Sequence, residues 1–207
     1  GLVMFLDWSG SMQYNISGTM KQLFNLVWFC NRVKIPFEVY AFTDQMGGRY
    51  KSSSSDGVYV ANKKVKTGDM KVEYVKLLNF MSSRMSKIEL KKMTHQLFML
   101  SESFAPYRDW QVKGYPKRPI KDLYLGGTPL NATIITAMDL LPKFKSETGV
   151  QKVNTIFLTD GASHDLSNFY TSKVTRDGDI VESQGYFGTK KTVITDPISN
   201  TKVFYKE

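Results

Sequence analysis

Asp7, Ser9 and Ser11 occupy alternate positions of Asp7-Trp8-Ser9-Gly10-Ser11, so one short stretch carries a carboxylate and two hydroxyls. Two distant segments add oxygen donors: Thr128 in Gly126-Gly127-Thr128-Pro129, and Asp160 in Leu158-Thr159-Asp160-Gly161. Oxygen ligands without His or Cys select a hard cation, and carboxylates mixed with hydroxyls suit magnesium, or manganese, better than calcium, which takes more carboxylates. Two ionised aspartates balance one dication, and three neutral hydroxyls leave a coordination position for an acidic side chain from a partner. Gly10 is expected to let the loop turn between Ser9 and Ser11. Gly126 and Gly127 let backbone approach the ion, with Gly161 beside Asp160. Trp8 either covers the rim of this site or fills a gap against the next helix.

Residues so far apart meet only if the fold gathers them. Residues 2–6 are a continuous apolar run ending at Asp7, as in a buried parallel strand with a polar group at its carboxyl end. Residues 20–33 place Met20, Leu23, Phe24, Val27 and Cys30 at helical spacing, with Ser17 or Thr19 as the cap. Pro36 breaks that helix, and Phe37, Val39, Ala41 and Phe42 lead to Thr43-Asp44 as a second strand. A helical crossover makes the two strands parallel in one sheet.

Residues 72–80 read as a short strand entering a helix, and residues 88–98 as a helix with Leu90, Met93, Leu97 and Phe98 on one side. Pro129, at a natural first helical position, opens a helix from Leu130 to about Phe144, and residues 153–158 form another buried strand ended by Thr159-Asp160-Gly161. Loops leaving the carboxyl ends of parallel strands gather along one sheet edge, which brings Asp7, Thr128 and Asp160 together. Residues 46–67, rich in Gly, Ser and Lys, read as an exposed loop or edge hairpin, and residues 105–119 as a loop packed by its own aromatics. Residues 192–195 and 202–205 alternate around Asp196-Pro197-Ile198-Ser199-Asn200 as a hairpin. The expectation is an α/β, Rossmann-like doubly wound, mostly parallel sheet, with residues 1–165 as the core carrying the site. Residues 166–207 form a β-hairpin insertion after the fourth core strand.

Composition bounds the function. The 207 residues, 42% hydrophobic, bury one core, and no apolar stretch reaches the length of a membrane span. The single cysteine, Cys30, excludes an internal disulfide framework and favours a reducing, cytoplasmic compartment; among Trp28, Phe29 and Val33 it reads as a buried apolar filler. The net charge of +9 suits an acidic partner, but its dispersal in short groups such as Lys63-Lys64 and Lys190-Lys191 argues against nucleic acid.

Phe5-Leu6-Asp7-Trp8-Ser9-Gly10-Ser11-Met12 resembles the metal-ion-dependent adhesion site of von Willebrand factor A domains, and Thr128 and Asp160 match its second and third motifs. The resemblance covers residues 1–165 and implies a chain incomplete toward the C-terminus, since the later strands and last helices of that fold have no counterpart. Within the family, residues 6–12, 37–43 and 158–162 are most similar to the T subunit of aerobic cobaltochelatase and its relatives carried by tailed phages. That similarity implies a noncatalytic subunit of a chelatase-type complex partnered with a ring-shaped AAA+ ATPase, in the host cytoplasm if phage-encoded. The metal ligands implied are Asp7, Ser9, Ser11, Thr128 and Asp160, bridging to an Asp or Glu of the partner.

The alternative is a magnesium-dependent phosphohydrolase of the haloacid dehalogenase type with Asp7 as nucleophile. Such enzymes call for a second acid two residues on, where Ser9 stands. A serine hydrolase is disfavoured because Ser9-Gly10-Ser11 lacks the Gly-x-Ser-x-Gly elbow and His95 and His164 are the only histidines. His95 reads as a surface or core residue; His164 either borders the site or lies in a solvated loop.

Overall fold

The computed structural model describes residues 1–44, 68–69, 75–104, 123–161, 163, 168–174, 180–186, 193–196 and 198–204. The loops expected over residues 46–67 and 105–119, and His164, lie outside the described residues.

β1 (Leu2–Asp7) is apolar until its last residue, and Val3 to Leu6 are fully buried. A strand that is apolar on both faces needs cover on both. It has neighbours on both edges as well: β2 (Phe37–Thr43) and β4 (Asn154–Leu158) each pair with it in parallel, Leu2 lying opposite Phe37 and Asn154. β3 (Lys76–Ser82) closes the other side of β2, giving the order β3-β2-β1-β4. This is a mixed α/β arrangement with a mostly parallel sheet.

β3 is antiparallel to β2, with a register shift between Val39 and Tyr40. It does not run straight into a helix, as the sequence suggested, but turns through residues 83–86 first. β4 is half-buried rather than buried, because among the described residues it has a strand on one edge only.

On one face, Met4, Leu6, Val39 and Ala41 pack with α1 (Ile16–Val33) and α2 (Lys87–Ser103), which contribute Ile16, Met20, Leu23, Val27, Leu90 and Leu97. By strand alternation Phe5, Tyr40 and Phe157 share the opposite face, where Phe5 stacks on Phe157 at 4.9 Å and on Tyr40 at 5.8 Å. α3 (Leu130–Thr148) buries Ala132, Thr133, Ala137 and Phe144, none of which belongs to the first cluster.

Helix boundaries differ from the sequence reading for identifiable reasons. α1 starts a turn early, after Asn15, so Ser17 and Thr19 are interior. Ser17 donates its hydroxyl to Glu102, and Thr19 donates to the Asn15 carbonyl at 3.0 Å. α1 stops at Lys34, which takes a left-handed φ of 61° two residues before Pro36. Pro129 precedes α3 instead of filling its first turn, and α3, with Pro142 inside it, continues past Phe144 to a left-handed Gly149. The carbonyl that Pro142 cannot bond belongs to Met138, whose residue is 68% exposed, so water can satisfy it.

The chain divides into two compact units, Gly1–Tyr59 with Tyr74–His164, and Val60–Glu73 with Asp165–Glu207. The second unit holds the expected hairpin, β7 (Val193–Thr195) with β8 (Lys202–Phe204), and an unforeseen one, β5 (Asn168–Val174) with β6 (Ile180–Tyr186). No helix among the described residues is long and apolar enough to cross a membrane.

α2 begins with a reciprocal cap. Ser86 accepts from the Glu89 N–H at 3.3 Å, and the Glu89 carboxylate accepts from the Ser86 N–H at 2.8 Å. Ser86→Ala removes half of this box and is expected to lower unfolding stability by about 1 kcal/mol. A reduced urea midpoint at unchanged slope is the expected readout, and an unchanged midpoint would refute the assignment.

Candidate functional site

The site begins where β1 runs out of apolar residues. Asp7 is fully buried, and its Oδ2 accepts the Thr159 hydroxyl from the end of β4 at 2.7 Å. Its Oδ1 is also buried yet has no hydrogen-bond partner. A buried carboxylate oxygen without a donor is a costly arrangement that calls for a compensating positive charge.

Burial pushes the Asp7 carboxyl above the usual carboxylate range, and the charge of Asp160 adds to that rise. The Thr159 hydroxyl and Ser9 pull the other way.

Beside Asp7 runs a chain of hydroxyls. Ser11 donates to Asp160 Oδ1 at 2.9 Å, and Ser9 and Ser11 lie 2.9 Å apart. Ser11 spends its one proton on Asp160, and the oxygens of both hydroxyls keep lone-pair capacity.

Thr128 comes from a third segment, held in place by backbone. Gly10 N–H donates to the Gly126 carbonyl at 2.8 Å, and Gly126 N–H donates to the Trp8 carbonyl at 3.0 Å. This extends the sheet by one parallel bridge, Ser9 to Gly126. The next N–H, of Gly127, is bound by the Asp44 carboxylate from the end of β2. Thr128 follows at 7% exposure and leads into α3. The Thr128 carbonyl accepts from Leu130 N–H at 2.9 Å, and Asn131 N–H donates to the Ser163 hydroxyl at 2.8 Å, which fixes the start of the helix.

Trp8 resolves as core, not rim. It is fully buried, edge-on to Phe80 at 5.0 Å and Phe104 at 5.6 Å, and its indole N–H donates to the Leu123 carbonyl at 3.0 Å. Gly10 also plays a different part from the one expected. It has no left-handed φ, and a Cβ there meets the Gly126 oxygen at 3.9 Å, an ordinary contact, so what it supplies is its N–H. His95 is exposed on α2.

The structure thus joins Ser9, Ser11 and Asp160 directly, sets Asp7 beside them through Thr159, and ties the strand of backbone before Thr128 to Ser9. Thr159 and Asp44 escaped the sequence reading, although each stands at the carboxyl end of a strand next to a recognised feature. Among the described residues no three His, Cys, Asp or Glu side chains cluster as metal ligands, so hydroxyls have to supply part of any coordination shell. Two carboxylates with hydroxyl lone pairs fit a hard divalent ion chemically. No family model, curated protein or solved structure matches the chain.

Asp7 gives a pH prediction whose sign follows from burial. A carboxyl raised in the folded state stabilises the fold below its unfolded value, and that contribution is lost as pH rises through the folded value. Without metal, Asp7→Asn should therefore melt higher than the parent at neutral pH, with the difference shrinking in acid. Thermal unfolding in chelator reads it, at about 2–4 °C per kcal/mol for a chain of this size. An Asp7→Asn variant that melts lower at neutral pH would contradict the assignment.

Proposed function

We propose that this chain is a divalent-metal-dependent protein interaction module of the von Willebrand factor A type. The observation that carries the reading is the buried, unpartnered Oδ1 of Asp7 beside the hydroxyls of Ser9 and Ser11, the latter bound to Asp160. Asp7, Ser9, Ser11, Thr128 and Asp160 hold the ion, which is Mg2+, with Mn2+ as a substitute. The two aspartates neutralise the dication, and the hydroxyls contribute lone pairs without further charge.

The ion supplies a strong local positive charge that recruits an Asp or Glu from a partner protein. Buried Asp7 favours a cation in the pocket, because a neighbouring dication offsets the burial that opposes its ionisation. The resemblance to the cobaltochelatase T subunit and its phage relatives supports an AAA+ ATPase ring as partner, in a chelatase-type or remodelling complex. No chemical step is assigned to this chain itself.

Isothermal titration of the whole chain with Mg2+ and Mn2+ tests the reading, with saturable one-to-one binding in the parent and none in Asp7→Ala as the expected result. Absence of binding by the parent would overturn it, as would phosphatase turnover that disappears in Asp7→Asn. Asp44 positions Thr128 through the Gly127 N–H, so Asp44→Ala should weaken metal affinity about tenfold or more, the usual effect of removing a group that orients a ligand. Asp44→Asn, which keeps an acceptor, should recover most of it; equal loss in both variants would mean that Asp44 acts through its charge.

A further inference from the structure

The two carboxylates of the candidate metal site are tethered across one strand pair, each by a hydroxyl that belongs to the other's side. Leu6 lies opposite Leu158 in the parallel register of β1 with β4, so the next positions in step are Asp7 and Thr159. Thr159, the neighbour of Asp160 in sequence, donates to Asp7 Oδ2 at 2.7 Å. Ser11, in the turn that follows Asp7, donates to Asp160 Oδ1 at 2.9 Å. One oxygen of each acid is thereby engaged, and Oδ1 of Asp7 is left buried without a partner.

A carboxylate oxygen carries two lone pairs, so accepting one hydrogen bond does not by itself keep it from a cation. What the Thr159 bond fixes is rotation. Asp7 is fully buried, and turning its carboxylate about the Cβ–Cγ bond would draw Oδ2 away from the Thr159 hydroxyl without exposing it to water. Thr159 is held in turn, since its oxygen accepts the Gly161 N–H at 3.3 Å while its one proton goes to Asp7. The hydroxyl is therefore fixed from two directions, by the turn that carries Asp160 and by the acid that ends β1.

An acid held in this way offers a cation one oxygen, and that discriminates between hard ions. Ca2+ gathers more oxygens in a flexible shell and accepts both oxygens of a carboxylate, whereas Mg2+ demands a near-ideal octahedron and is held through one or two carboxylates. Acids that each present a single oxygen suit the smaller ion. Acids free to turn and present both suit the larger.

Resting on the metal-site reading above, we infer that Thr159 sets the choice of ion: its hydroxyl holds Asp7 to one coordinating oxygen and so favours Mg2+ over Ca2+. Thr159 acts through Asp7, as a positioning residue, and needs no contact of its own with the ion. Its side chain is exposed, so it can be replaced without opening the core.

Separate isothermal titrations of the whole chain with Mg2+ and with Ca2+ test the inference, in the parent and in Thr159→Val, Thr159→Ala and Thr159→Ser, each with circular dichroism matching the parent's. The parent is expected to bind Mg2+ more tightly. In Thr159→Val and Thr159→Ala, which lack the donor, Mg2+ affinity should fall about tenfold while Ca2+ affinity holds, so the preference moves toward Ca2+ by that factor. Thr159→Ser keeps a hydroxyl and should recover the parent's preference. A general loosening of the turn would weaken both ions alike, so an unchanged ratio of the two affinities in Thr159→Val and Thr159→Ala overturns the inference and leaves the metal site standing. A serine variant that discriminates no better than the valine one overturns it as well, as does a parent that prefers Ca2+. A parent that binds neither ion removes the site itself, and this inference with it.

Discussion

A strand apolar on both faces cannot end in the middle of a protein without exposing its next residues to a polar environment, and β1 ends at a buried carboxylate. Asp7 is fully buried, one of its oxygens is satisfied by Thr159 and the other is not. Everything around it is organised by that imbalance. β4 brings Thr159 and Asp160, the turn after β1 brings Ser9 and Ser11, and β2 brings Asp44, which holds Gly127 ahead of Thr128. The central position of β1 between β2 and β4 makes this convergence unavoidable, since both neighbours run parallel to it and release their loops at the same edge.

Another buried carboxylate shows how the same fold satisfies charge with its own donors. Glu38 on β2 is 2% exposed, and both its oxygens are bound, by Ser82 at 2.7 Å, Arg84 at 2.9 Å and Asn79 at 2.8 Å. Arg84 also reaches Glu147 of α3 at 3.3 Å, tying the turn after β3 to the helix on the other face. Glu38 has a guanidinium and two neutral donors; Asp7 has hydroxyls and a second carboxylate. A saturated carboxylate of the first kind is structural, whereas the second is left with coordinating capacity.

Much of the core was legible because period is a physical signal. The apolar run before Asp7 gave β1, the spacing of Met20, Leu23, Phe24, Val27 and Cys30 gave the buried face of α1, and alternation gave β7 and β8. What stayed hidden was decided by partners distant in sequence. Nothing local to Ser17 announces that it turns to Glu102 instead of capping α1, and nothing near residue 79 announces an antiparallel strand whose Asn79 serves Glu38. The five oxygen-bearing residues could be chosen from type and strand position. Thr159 and Asp44 could not, because their value lies in which neighbour they bind. Trp8 was undecided by sequence for a similar reason: only the presence of Phe80, Phe104 and the Leu123 carbonyl makes it a core residue.

The contact between Ser11 and Asp160 spans 149 residues. During synthesis at ~5–20 residues per second, the turn after β1 therefore waits roughly 7–30 s before its counterpart exists. Over that interval β1 lacks the parallel neighbour that β4 provides in the folded chain. The Ser11–Asp160 contact can form only when β4 lies beside β1, so it reports that these two strands have paired.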